Sequence, residues 1–224
     1  MIGIIGAMRA ETDGLLSAMT EKREQKISGM TFVTGKLGKN DIVVATCGIG
    51  KVNAAMCAEA MILGYHPDGV INSGVAGGLS KELKVADIVV ATALVQHDMD
   101  TTPLGEPRGW ISGADTVEFE TDPALRDGLL SAAAENGVPT KTGVIASGDQ
   151  FVADPAVKSE IVSLFGAIAC EMEGAAVAQV CRANGVPCAV LRAISDGEGG
   201  AMDYGAFLHI AAERSLTVLK AFLL

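Results

Sequence analysis

Aromatic side chains are scarce in this sequence: one Trp, two Tyr and six Phe in 224 residues. A core must therefore come from Ala, Val, Ile, Leu and Met, and the 49% hydrophobic content is ample for one domain spanning residues 1–224. Clusters of Lys and Arg are missing too, and the formal net charge is −10. Such a chain has no general electrostatic attraction to nucleic acid. The five cysteines (Cys47, Cys57, Cys170, Cys181 and Cys188) are odd in number and include no CxxC pair, which argues against a disulfide framework or a zinc knuckle. They read as small buried thiols in a reducing compartment. The start, "MIGIIGAMRAE", lacks the basic and long apolar regions of a secretory signal, and no apolar run reaches membrane-spanning length. A soluble, cytoplasmic protein with no membrane partner is expected.

Several chemistries lack their signatures. No GxSxG or Cys–His arrangement supports an acyl-enzyme. "CGIGK" (47–51) looks like a phosphate loop, but Ala45 and Val52 break the P-loop pattern and Asn53 stands where a dinucleotide fingerprint needs its third Gly. A strand–turn–helix junction is the better reading. "HDMD" offers His97, Asp98 and Asp100 without a second cluster at metal-ligand spacing, so a hydrogen-bonded loop is favoured, and neither metal nor cofactor is expected.

What is present is a regular alternation. Short, almost continuously apolar runs at 2–8, 41–50, 69–75, 87–96, 143–149, 167–172 and 188–196 read as strands buried on both faces. "MTFVTGKLG" (30–38) reads as a more exposed hairpin strand. Helical patterns occupy about 10–21, 50–64, 122–136, 155–164, 173–184 and 203–222. Asp122-Pro123 supplies an N-cap followed by Pro at the first helical position. The sum is an α/β fold of one domain, a twisted mixed central sheet flanked by helices. Residues 97–121 form the longest stretch without periodicity, the kind of long loop that is often functional.

Polar groups just past the strand ends are informative, because open α/β sheets bind ligands there. Glu11 follows the first strand, "SGVAGG" the third, Asp149 and Phe151 the fifth. "ACEMEG" brings Glu171, Met172 and Glu173, and "LRAISD" brings Ser195 and Asp196. Any one acid could be a solvated group at a helix N-terminus, where the macrodipole favours it. Glu173 and Asp196, however, close strongly apolar segments, where an unpaired carboxylate is costly. A rim of Glu11, Glu171, Glu173 and Asp196 suits binding of sugar hydroxyls and acid–base work on a glycosidic bond.

Taken in order, "IGIIGAMRAE" (2–11), "CGIGKVNAA" (47–55), "INSGVAGGL" (71–79), "VADIVV" (85–90), "HDMD" (97–100), "SGDQF" (147–151), "CEMEGAAVAQVC" (170–181) and "LRAISD" (191–196) resemble the 5′-methylthioadenosine/S-adenosylhomocysteine nucleosidases of the purine nucleoside phosphorylase-like superfamily. The resemblance covers essentially the whole chain. It implies hydrolysis of the bond between adenine and a 5′-thio-substituted ribose through a dissociative, oxocarbenium-like transition state. Asp196 would protonate adenine N7, which requires burial or neighbouring acids to raise its affinity for the proton, and Ser195 would orient it. Glu11 would activate the attacking water with Arg192 nearby. Glu173, with Met172 and Glu171, would hold the ribose. Phe151 would stack on adenine, the Val152 backbone would read its edge, and Ala76 and Gly77 of the glycine turn would approach the substrate. Met8, Ile49 and Phe207 would wall the ribose and 5′ substituent. The resemblance also implies a homodimer in which the 97–121 loop, through Leu104 and Trp110, completes the partner's pocket.

Some positions depart from the family pattern. Val75 replaces a Ser found in some members, and "TTPLGEPRGWIS" (101–112) lacks the Phe and Tyr of the best-known bacterial form. "GEGGAMDY" (197–204) reads as a flap before the last helix. Three rivals remain open: a phosphorylase on the same fold, a nucleosidase for futalosine-type nucleosides, AMP or 5′-deoxyadenosine, and a nucleoside-binding protein without activity. Against the phosphorylase, Asn72 stands on the strand where such enzymes carry an Arg.

Overall fold

Alternating burial along single strands organises the molecule. In β1 (Ile2–Gly6) successive side chains point to opposite faces, so Ile4 enters one core cluster and Ile5 another. The same division runs through β4 (Asn40–Thr46), where Val43 lies with Ile5 and its neighbours Ile42 and Val44 with Ile4. Both faces of the sheet are therefore covered. Helices α2 (Lys51–Tyr65) and α5 (Gly174–Asn184) pack on one side through Cys57, Met61, Val177 and Cys181. Helices α1 (Arg9–Ala18), α3 (Pro123–Glu135) and α6 (Ala201–Leu223) pack on the other through Leu15, Leu129, Val218 and Leu219.

The structure is a computed structural model and describes residues 1–196 and 201–224, with side chains of the last helix from residue 207 onward. Residues 197–200 of the expected flap, and the side chains that follow it to 206, lie outside the described residues. Among those described, ten strands form one mixed sheet. β1 lies parallel between β4 and β5 (Gly69–Gly78), and β3 (Met30–Leu37) and β2 (Thr20–Ile27) extend the β4 side antiparallel. On the other side β5 pairs with both β10 (Cys188–Asp196) and β9 (Ala169–Glu171). β9 runs parallel to β8 (Thr140–Ser147), β8 parallel to β6 (Ile88–Gln96), and β6 antiparallel to β10. The five strands β5, β10, β6, β8 and β9 thus close a ring, and every one is shielded from edge exposure.

Local chemistry sets the element ends. Asp122 caps α3 by accepting from the Leu125 N–H at 2.9 Å, with Pro123 at the first helical position. Asp154 and Pro155 repeat the device for α4 (Pro155–Phe165), which stops at Gly166 with φ +62°. Two strands depart from the sequence reading. β2, "TEKREQKI", is exposed along nearly its whole length, so it carries no apolar alternation; its charges guard a sheet edge, and it ends α1 three residues earlier than the periodicity predicts. β7 (Glu118–Glu120) lies in the segment read as wholly irregular and pairs with β6, with Phe119 as its only buried side chain. All five cysteines are buried and free. No helix among the described residues is long and apolar enough to cross a membrane.

Candidate active site

The carboxyl ends of β1, β5, β9 and β10 and the loop after β8 converge on a cavity of about 370 Å³, a size suited to a small ligand. Its polar lining comes from Glu11, Gln150, Glu171, Glu173, Ser195 and Asp196. No Lys or Arg lines it among the described residues.

Glu11 belongs to the first turn of α1, and three backbone donors aim it. Ala7 N and Met8 N donate to Oε2 at 2.7 and 2.9 Å, and Val75 N donates to Oε1 at 3.0 Å. Burial raises its pKa above the ordinary carboxylate value, against the opposing pull of Arg192 and those N–H donors. The carboxylate is held in place yet kept avid for a proton.

Glu171 ends β9 and has its oxygens occupied by the protein. Its carboxylate accepts from Glu173 N at 3.0 Å, from Gly174 N at 2.8 Å, from Ser147 Oγ and from the Arg192 guanidinium. Arg192 in turn donates to Asn72 Oδ1 at 2.5 Å, while Asn72 Nδ2 donates to Ile5 O at 2.9 Å. The guanidinium is therefore one layer below the cavity floor. Arg192, expected near Glu11, is the buried counter-charge of the acids and pulls electrostatically on Glu11; Glu171, expected at the ribose, lines the cavity and is at the same time the partner of Arg192.

Glu173 is the residue preceding α5. Its Oε1 accepts from Gly50 N at 2.8 Å, and its Oε2 lies 3.9 Å from Arg192 Nη2. Burial first, then the nearby charge of Glu171, pushes its pKa up to about 7, with Arg192 and Gly50 N opposing. Asp196, 2% exposed, accepts from Ser195 Oγ at 3.0 Å, and Lys158 Nζ of α4 lies 3.9 Å from its Oδ2. Four acids sharing one buried cavity, with a single guanidinium beneath, are arranged for proton transfer and for stabilising positive charge.

A family model of the phosphorylase superfamily matches residues 1–224. The chain belongs to the phosphorylase superfamily. It is 43% identical over 223 residues to an aminodeoxyfutalosine nucleosidase of Helicobacter pylori, covering 98% of this chain and 96% of that protein. It is 40% identical over 226 residues to a 5′-methylthioadenosine/S-adenosylhomocysteine nucleosidase of Actinobacillus succinogenes, covering 99% and 97%. Among solved structures, the corresponding nucleosidase of Neisseria meningitidis in complex with methylthio-immucillin-A matches with a TM-score of 0.95 at 35% identity, covering 99% of this chain and 97% of that one.

Within this superfamily member the apolar wall comes from Met8, Ile49, Val75, Ala76, Phe151 and Met172, with Gly77 and Val152 beside them. Phe151 and Ile49 stand at the mouth, 46% and 52% exposed. Phe207, expected in this wall, is half-buried on α6 and is not among the described residues that line the cavity. Leu104 belongs to a one-turn 3-10 helix (Thr102–Leu104), is 81% exposed and is not among the described residues lining its own chain's cavity. Ala7, Gln150 and Cys170 also line the cavity, although nothing in the sequence marks them as site residues. Each is a chain neighbour of a residue that is so marked, and only the pleat and turn geometry decide that they face inward. "HDMD" is a bonded loop, with Lys51 Nζ on Asp98 at 2.7 Å and Arg108 on Asp100 at 2.8 Å.

Proposed function

We propose that this protein hydrolyses the N-glycosidic bond of 5′-methylthioadenosine and S-adenosylhomocysteine, and of 5′-deoxyadenosine, releasing adenine and the 5-substituted ribose. The observation that carries this reading is a cavity lined by four carboxylates and by no Lys or Arg among the described residues. A phosphate dianion would need cations within it. Arg9 is exposed on α1, and Arg192 is committed to Glu171 and Asn72 beneath the floor. Water is the acceptor that such a lining tolerates.

The carboxylates divide the work. Asp196, oriented by Ser195, gives its proton to adenine N7 as the C1′–N9 bond breaks and the electron pair leaves with the base. Glu11 takes a proton from water as its oxygen bonds to C1′. Glu173 accepts from the ribose hydroxyls, and its charge, with that of Glu11, favours the cationic sugar of the transition state. Phe151 and Val152 hold the base; Met8, Ile49 and Met172 hold the sugar and its 5′ group. Across a turnover one water is consumed: the proton given by Asp196 leaves with adenine, and the proton that Glu11 took from water is released and replaced at Asp196 through solvent.

Residues 1–224 act as one nucleosidase unit, cytoplasmic and serving methionine salvage. It works as a homodimer in which the 97–121 loop, with Leu104 at its tip, covers the partner's cavity mouth. The exposure of Leu104, Ile49 and Phe151 supports this arrangement.

The test is adenine release from 5′-methylthioadenosine in phosphate-free buffer, repeated with phosphate. Release at equal rates supports the hydrolase, whereas release only with phosphate means a phosphorylase. The 43% identity to the Helicobacter pylori protein favours aminodeoxyfutalosine as a second substrate class. Comparing kcat/KM for the two nucleosides decides which the 5′ side of the cavity prefers.

A further inference from the structure

Three segments meet beside the cavity: the turn from Gly48 to Gly50 before α2, the end of β6 and the following Asp98, and the loop from Gly148 to Val152 after β8. Lys51 joins all three. Its backbone N–H donates to Asp149 Oδ1 at 2.7 Å, and its Nζ donates to Asp98 Oδ1 at 2.7 Å and Gln96 Oε1 at 3.0 Å. Asp98 closes the circuit, its Oδ2 accepting from Asp149 N at 2.9 Å. Gln96 is fixed from behind by donating to Gln179 Oε1 at 2.6 Å. Gly50 makes the close approach possible, with φ +101° and an ideal Cβ that would come 3.0 Å from Asp149 Oδ1.

The chain neighbours of this circuit are cavity groups. On one side Ile49 lines the mouth and Gly50 N donates to Glu173 Oε1 at 2.8 Å; on the other, Gln150 and Phe151 follow Asp149. The geometry points to Lys51, with Asp98, as a positioning pair that sets Glu173 and Phe151 for the reaction by locking the 48–50 turn to the 148–152 loop. The lysine of "CGIGK" thus acts on protein carboxylates and carbonyls instead of a phosphate. Neither Lys51 nor Asp98 lines the cavity, so both act through their neighbours. The inference rests on the nucleosidase reading, since it assumes that Glu173 and Phe151 contact substrate.

Its signature is a coupled change in affinity and pH profile. Glu173 is faced by Glu171 from β9, Glu11 from α1, Arg192 from β10, Cys47 before the turn and the Gly50 N–H. Of these, only the Gly50 N–H depends on the clamp. It favours the ionised form, so its loss moves the acidic limb of kcat/KM to higher pH.

The experiment compares wild type with Lys51→Met, Asp98→Asn, the double variant and Lys51→Arg, using adenine release from 5′-methylthioadenosine between pH 5 and 9. Lys141→Met, which removes a surface ion pair with Glu82 far from the cavity, is the control. Lys51→Met and Asp98→Asn are expected to lower kcat/KM about tenfold each, with KM raised, because slight misplacement of positioning groups is costly. The double variant should lose no more than either single one, Lys51→Arg should recover most activity, and melting temperatures should match the control. Unchanged kcat/KM and limb, or additive losses tracking the melting temperature, would overturn the proposal. Should the wild type release no adenine, the reaction assignment fails instead. The clamp is then read from adenine binding, tenfold weaker in Lys51→Met if it holds and unchanged if it does not.

Discussion

Arg192 and Glu171 form an ion pair in which each side chain is only 2% exposed. A pair so deep is stabilising only if both charges remain compensated, and here the guanidinium also faces Glu173 and Glu11. Arg192→Met would leave three acids sharing a buried site without their cation. We expect a loss of about 3–5 kcal/mol in urea unfolding, the range for breaking one partner of a buried pair. Arg192→Met combined with Glu171→Gln should recover part of it, because the orphaned charge is then removed. Equal stability of the single variant and wild type would refute this account.

Glu11→Gln and Asp196→Asn keep shape and burial while removing the proton chemistry. Each should lower kcat by about 10²- to 10⁴-fold, the usual contribution of general acid–base catalysis. Adenine binding should persist in both, since Phe151 and Val152 are untouched. Binding by calorimetry beside single-turnover adenine release separates the two effects, and near-normal turnover in either variant removes that residue from its role.

Space at Gly74 is reserved for Glu11. A Cβ there would lie 2.5 Å from Glu11 Oε1 and 3.2 Å from Arg192 Nη1. Gly74→Ala should push the carboxylate off the Val75 N–H and cut kcat at least about tenfold. The stability loss should stay within about 1–3 kcal/mol, as for other overpacked sites. Paired kinetics and denaturation curves would show whether activity falls much further than stability.

The acids also leave a mark on stability against pH. Glu173 titrates near 7 when folded, against 4.5 for an unperturbed Glu, so the folded protein binds this proton more tightly than the unfolded chain. The associated stability is fully present below about 4.5 and is lost as pH rises through about 7. Relative to Glu173→Gln, which cannot ionise, wild-type stability should therefore fall between pH 5 and 8. Subtracting the two urea midpoints cancels opposing groups such as His97, whose pKa burial lowers. A difference that stays flat or rises with pH would contradict the geometry around Glu173.

Much was decided by the linear sequence. Strands buried on both faces must be continuously apolar, so β1, β4, β5, β6, β8 and β10 announced themselves, and Asp122-Pro123 marked its helix end by local capping chemistry. Carboxylates at the ends of such strands are conspicuous because unpaired burial is costly, and Glu11, Glu171, Glu173 and Asp196 do line one cavity. β2 and β7 were hidden, since an edge strand polar in all but its last residue and a three-residue strand leave no periodic trace. How the acids are packed and paired belonged to the tertiary structure. Only the closure of β5, β10, β6, β8 and β9 into a ring puts Arg192 beneath the floor and bonds it to Glu171, which lines the cavity with Glu11, Glu173 and Asp196. Sequence spacing names which side chains reach a strand end; which of them meet across strands distant in sequence is decided by register and closure, which are long-range properties of the packed sheet.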